Sequence, residues 1–294
     1  MSLIIMRDLS EYSLYEWIRL VPIKWGIKAF RNRYVAKKYS KKGAVGFDAF
    51  LSQIDKSRDY KVDKNIFISI AFERPEVIEL QCRQMKKYLS GGVFVVIDNS
   101  SDEHVASKVA KVCSKYAVPY LKLPKQSTSH PNRSHSLAIQ WSFDNVIQGL
   151  KPEGFAFLDH DIVPFRAVAP FSKYKECAIF GRRWDSKINH TWQLWAGFAF
   201  FRSGAIKSRF LSFMYDFSSG LDTMGEAYED VFSNFDCQQC FATCVDLDDV
   251  AGIEYQLMDS DWIHLSRTAL SNELSFEERM SLFIIALERH EGSK

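Results

Sequence analysis

The sequence of 294 residues has no run approaching the roughly 20 consecutive apolar residues that a membrane-spanning helix needs. Its opening, MSLIIMRDLSEYS, lacks the basic start, apolar middle and small-residue cleavage site of a secretory leader. The six cysteines show no disulfide framework, so a reducing, cytoplasmic compartment is expected. On that reading the three Asn-X-Ser/Thr tripeptides at Asn99, Asn132 and Asn189 are coincidence rather than glycosylation sites. No internal repeat or low-complexity tract occurs. Glycine is sparse, and none falls in AFERPE (residues 71–76), which argues against a glycine-rich phosphate loop and hence against a nucleotidyltransferase. Acidic residues are missing altogether from residues 17–46.

That segment instead holds nine basic residues (Arg19, Lys24, Lys28, Arg31, Arg33, Lys37, Lys38, Lys41 and Lys42). Against a net charge of +2, the rest of the chain is therefore acidic. The same stretch carries Trp17, Ile18, Leu20, Val21, Ile23, Trp25, Ile27, Phe30 and Tyr34. A basic helix with interfacial tryptophans suits an anionic membrane surface, with peripheral attachment. The alternative is a solvated helix whose apolar side lies on the main domain. Nucleic acid is not expected as a partner, because the remainder is acidic and offers no recognisable binding module. Residues 1–62 are read as a basic, aromatic, helical extension, and residues 63–294 as one domain ending in an amphipathic helix over residues 275–290.

Within that domain β and α patterns alternate. Asn65–Ala71 (NIFISIA) reads as a strand, and Pro75 opens a helix over residues 76–89. Gly91-Gly92 ends it. VFVVI (residues 93–97), a helix over Glu103–Tyr116 and a strand over residues 119–123 follow, then a helix over residues 134–146. The alternation predicts a parallel sheet with covering helices and a ligand site beyond the carboxyl ends of its strands. Asp98 lies at one such end. At another, FLDHDIVP places Asp159 and Asp161 two apart after an apolar run. Positions two apart in a strand face one side. Burying such carboxylates demands a positive partner, and hard oxygen donors point to Mg²⁺ or Mn²⁺ completed by substrate phosphates.

The order of these features resembles the A-type-fold glycosyltransferases, close to the large family 2 group. The resemblance spans residues 64–235 and rests on NIFISIAFERPEVIELQCRQM, VFVVIDNSSDE, FLDHDIVP, WAGFAFFRSGAI and AYEDVFSNF, the last resembling the E-D helix start that carries the family's base. It implies an α/β A-type fold, a Rossmann-like, mainly parallel sheet with helices on both faces. It also implies Mn²⁺ or Mg²⁺, and transfer of a hexose from a UDP- or GDP-type sugar to a hydroxyl of a glycan, lipid-linked or protein acceptor. By carry-over, Asp161 ligates the metal and Asp159 binds the metal or the donor ribose. Asp98 and Asn99 contact the nucleobase, with the backbone after Ala71 completing that pocket. Arg133 reaches a phosphate, and the late His264 joins the metal. In an inverting reaction, a carboxylate must take the acceptor proton; Asp230 is the first choice, then Glu229, then Asp222. Trp195 and Gly197 fall on the acceptor side; Trp192, Trp195 and Phe198 form either an aromatic wall for a sugar ring or, the commoner case for such a run, part of the buried core.

The sequence departs from the family around the E-D pair, where LDTMGEA precedes it and CQQCFATC follows. Cys237, Cys240 and Cys244 are spaced for a helix face, which favours core packing over a metal site with His264. Two other functions fit parts of the chain. Asp159-His-Asp-Ile-Val163 matches the nucleophile loop of haloacid-dehalogenase-type phosphatases, with Asp248-Asp249 as a late acidic pair, but the βα elements before it would go unexplained. A non-catalytic nucleotide-sugar or carbohydrate binder is the other.

Overall fold

The computed structural model describes residues 22–126, 128, 130–207, 211–236, 241–250, 253–265 and 274–292. Trp17, Ile18, Leu20, Val21, Cys237 and Cys240 lie outside the described residues, as do the side chains of Trp25, Asp248 and Asp249.

Among the described residues three helices lead in: α1 (Pro22–Ser40), α2 (Phe47–Lys56) and α3 (Arg58–Asp63). The chain then alternates as expected through β1 (Asn65–Ala71), α4 (Pro75–Tyr88), β2 (Val93–Asp98), α5 (Glu103–Tyr116), β3 (Tyr120–Lys122), α6 (Pro131–Ser142) and β4 (Gly154–Asp159). Every residue of β1 and β2 is buried, the pattern of central parallel strands covered on both faces. Helix starts follow local chemistry. Pro75 and Pro131 sit in first turns, where no amide is needed. The Asp102 carboxylate caps α5 by accepting from the amides of His104 and Val105 at 2.7 and 3.3 Å.

β6 (Ile179–Asp185) and β7 (Trp192–Arg202) complete a six-stranded sheet ordered β3-β2-β1-β4-β7-β6, in which β1 to β4 run parallel and β7 antiparallel to both neighbours. Side-chain alternation divides the core. Ile66, Ile68 and Ile70 face one layer with α1, α2 and α6, while Phe67 and Ala71 face the other with α4 and α5. A mainly parallel sheet with helices on both faces is thus the fold.

Four short segments, β5 (Ile162–Pro164), β8 (Cys244–Val250), β9 (Ile253–Met258) and β10 (Trp262–His264), form a second, antiparallel sheet ordered β5-β10-β9-β8. The C-terminal helix α7 (Phe276–Gly292) buries Met280, Phe283 and Leu287 against it, together with Val77 and Leu80 of α4. The helical extension is not a separate unit. Ala36, Tyr39, Phe50, Ile54 and Tyr60 belong to the same core as β1 and β2.

Two expectations need correction. AYEDVFSNF (residues 227–235) does not start an α-helix; a 3₁₀ turn at Gly225–Ala227 leads into it and another, Phe232–Asn234, lies near its end. Cys244 is not on a helix face either. It opens β8 and is exposed, because CVDLDDV alternates with the period of a strand.

Candidate active site and metal centre

The parallel register brings the carboxyl ends of three strands to one edge: Ala71 pairs with Asp98, and Ile70 with Asp159. Asp159 is the last residue of β4, and Asp161 lies in the tight turn that follows, not on the same strand. The turn still returns Asp161 to the site, because the Leu265 amide donates to its carbonyl and ties it to the end of β10. β10 supplies His264. The donor atoms of Asp159, Asp161 and His264 all lie within 4.8 Å of one another, the one such group of metal-ligating side chains among the described residues.

The electrostatics of this cluster follow from hydrogen bonds behind it. Gln256 lies opposite His264 in the β9–β10 ladder. Its Oε1 accepts from Arg182 Nη1 at 2.7 Å, and its Nε2 donates to Asp246 at 2.6 Å, so the amide orientation is fixed. His264 Nδ1, 2.9 Å from the same Oε1, must therefore donate. In the neutral ring that leaves a lone pair on Nε2, facing Asp161 Oδ1 at 3.4 Å. Two acceptors at this distance require positive charge on or between them, either a proton on Nε2 or a divalent ion. Burial pushes Asp161 up, but the imidazole outweighs it and holds the carboxyl below its ordinary range. Burial also raises Asp159, against the opposing pull of His135, whose Nε2 stands 3.7 Å from Asp159 Oδ1. Two carboxylates and an imidazole with a fixed tautomer are a donor set that fits Mn²⁺ or Mg²⁺, with the nitrogen favouring Mn²⁺.

Gly197 is required here. A Cβ at this position would lie 2.5 Å from Asp159 Oδ2, so β7 can pass the carboxylate only with no side chain. Trp195, two residues earlier, sets its ring 5.0 Å from that of His264, and Arg182 lies 5.0 Å over the same indole. Trp192 and Phe198 do not join it; they are buried core residues packed on Phe232 and on Phe200 and Trp262.

Two cavities open near the cluster. One, of about 240 Å³, is lined by Asn132, His135, Asp159, Trp195, Asp222 and Thr223. The other, of about 390 Å³, is lined by Phe72, Asn99, Ser100, Lys122, Gln126 and Ser134, among others. Pro131, the first residue of α6, lines both.

The expected site residues are distributed between these places. Asp98 is fully buried; its Oδ1 accepts the Ser100 amide and its Oδ2 accepts the Tyr120 hydroxyl. Its neighbour Asn99 faces the larger cavity instead. The Ala71 carbonyl accepts the Asn99 amide, and the exposed aromatic Phe72 follows it into that cavity. Arg133 donates to the Tyr215 hydroxyl, away from both. Of the three candidate bases, only Asp222 shares a cavity with Asp159. Asp230 lines a separate cavity of about 430 Å³ with Arg33, Lys37 and Lys41 of the extension, and Glu229 is exposed beside it. The sequence reading missed His135, Asn132, Gln256 and Phe72. The alternating pattern of 253–258 was the signal for Gln256, since it places residues 254 and 256 on one face.

No family model matches the chain, and no curated protein matches it. Among solved structures, it is similar to S. aureus TarS at 14% identity, covering 78% of this chain and 44% of that one, with a TM-score of 0.37. The mannosyltransferase PcManGT of Pyrobaculum calidifontis, solved with GDP-Man and Mn²⁺, shares 13% identity over 69% of this chain and 64% of its own, with a TM-score of 0.37. The S. cerevisiae mannosyltransferase Ktr4p shares 8% over 68% and 70%, with a TM-score of 0.33. The chain thus spans less than half of TarS and under two thirds of PcManGT. At these scores the weight rests on the site's own geometry.

Proposed function

We propose that the chain is a metal-dependent glycosyltransferase, taking a hexose from a nucleoside diphosphate sugar of UDP or GDP type to a hydroxyl of a glycan, lipid-linked or protein acceptor. The observation that carries this reading is the Asp159–Asp161–His264 cluster at the carboxyl edge of a parallel sheet, with one cavity lined by Asp159 and a second that shares Pro131 with it. The larger cavity suits the nucleoside. Phe72 offers a ring to the base, and Asn99 and Ser100 offer polar groups to its edge. The smaller cavity suits the transferred sugar and acceptor, with Trp195 as a platform.

Asp159, Asp161 and His264 would hold the metal. When bound, it neutralises the charge that builds on the leaving diphosphate. The acceptor hydroxyl attacks the anomeric carbon as the bond to the diphosphate oxygen breaks, and its proton passes to a carboxylate. Asp222 fits that role. Its Oδ1 already accepts from Asn132 Nδ2 at 2.6 Å and the Thr223 amide at 2.8 Å, which orients the carboxylate and leaves Oδ2 for the proton.

A panel of nucleotide sugars tests this. Mn²⁺-dependent release of UDP or GDP is expected, abolished by EDTA, with Asp222→Asn lowering kcat roughly 100-fold or more while donor binding persists. Turnover of none of the sugars, or full turnover in EDTA, overturns the reading.

A further inference from the structure

We propose that α1 docks the chain on an anionic lipid surface through its outward face. The helix has two sides. Asn32, Ala36 and Tyr39, spaced i, i+4 and i+7, are buried against the domain. Ile27, Phe30 and Tyr34, spaced i, i+3 and i+7, form a second stripe that is 61%, 74% and 61% exposed. These are large apolar side chains that no described residue covers fully, and Val45 just beyond the helix is 95% exposed.

Charge selects the occupant. Arg31 and Lys38 are exposed on the same outward arc, one helical turn or less from the apolar three. No acidic residue occurs between residues 17 and 46. Lys37 and Lys41, also exposed, flank the arc and line the cavity that Glu226, Asp144 and Asp230 share, where Glu226 pairs with Arg33 at 2.9 Å. The outward arc is therefore apolar and aromatic at its centre and cationic at its rim, the arrangement that lies flat in a headgroup layer. No helix among the described residues is long and apolar enough to cross a membrane, so the contact is interfacial.

The placement also has a consequence for access. The Tyr39 hydroxyl donates to the Pro124 carbonyl at 2.6 Å, and Lys42 donates to the Lys125 carbonyl at 3.1 Å. Pro124 and Lys125 line the larger of the two cavities. The buried side of α1 is thus tied to the rim of that cavity, and docking through the outward face leaves one helix diameter, roughly 10 Å, between lipid and rim. The docking itself does not depend on the reaction proposed above.

Co-sedimentation of the full chain with phosphatidylcholine vesicles, with and without phosphatidylserine, tests it. Binding is expected only with phosphatidylserine and is expected to fall as salt shortens the screening length. The pair Ile27→Ser and Phe30→Ser should weaken it about tenfold or more. Arg31→Glu with Lys38→Glu should weaken it roughly fivefold for each basic residue removed. The thermal midpoint should stay unchanged in both variants, since all four side chains are exposed. Absent binding, equal binding to neutral vesicles, or undiminished binding of the serine variant overturns the proposal. So does a lowered midpoint in that variant, which means the chain covers the face itself. A concentration-dependent oligomer that the variant abolishes also overturns it, since the occupant is then a second copy.

Discussion

Gln256 sits behind the proposed ligands rather than among them, and its one signal in the sequence is the alternation of residues 253–258. Its amide decides which nitrogen of His264 carries the proton, and so which one faces Asp161. Replacing it by leucine removes that choice without touching a ligand. Gln256→Leu is expected to weaken Mn²⁺ binding by about 10- to 100-fold in a calorimetric titration, with little change in thermal midpoint. Undiminished affinity would mean the tautomer is set elsewhere. Asp159 and Asp161 were legible because carboxylates after a buried strand need a stated reason to be there. His135 and Asn132 were not, because α6 delivers them from more than twenty residues away and only the folded register shows what they face. Asp222 was named as one of three candidate acids; Asp230 and Glu229 stood ahead of it on the resemblance of AYEDVFSNF to a helix start, and no α-helix forms there.

At the scale of elements, the sequence carried the strands and helices wherever one signal dominated. NIFISIA and VFVVI are apolar runs of strand length, and Asp102 sets the start of α5 as a side-chain cap. Signals conflict between residues 211 and 236. Gly220 and Met224 both take positive φ, and at Gly225 a Cβ would meet that of Leu221 at 2.6 Å, so no helix can run through. The second sheet was missed because its strands are short and its hairpin turns on Asp259 and Ser260, both with positive φ, rather than on glycine. The seating of α1 carries a pH signature. Burial raises the Tyr39 hydroxyl to about 12, above the ordinary value near 10. A folded-state value above the unfolded one gives stability that is complete below about pH 10 and is lost as pH rises to about 12. Tyr39→Phe should therefore cost about 1 kcal/mol near neutral pH. It should also lose less stability than the parent between about pH 9 and about pH 11, as read from urea midpoints. Parallel losses would show that the hydroxyl is not held as described.

For the whole molecule, the βαβ alternation fixed a parallel sheet in advance but not its order, because a period of two says nothing about which strands are neighbours. Nor could it show that β6 and β7 run antiparallel to their partners, or that the helical extension joins the core through Ala36, Tyr39, Phe50 and Ile54. That arrangement decides the function proposed here. It gathers Asp159 from the large sheet and His264 from the small one, with Asp161 in the turn between the sheets, and it opens a cavity at Asp159 that meets a larger one at Pro131. The central claim is that these three side chains hold a divalent ion that anchors a nucleoside diphosphate. The paramagnetic resonance signal of free Mn²⁺ measures it directly. On titration, the parent chain should remove one Mn²⁺ per molecule and bind it more tightly with UDP or GDP present. Asp161→Asn, shown by circular dichroism to be folded, should leave the ion in solution. Equal uptake by the parent and Asp161→Asn, or none by the parent with or without nucleotide, would contradict the account.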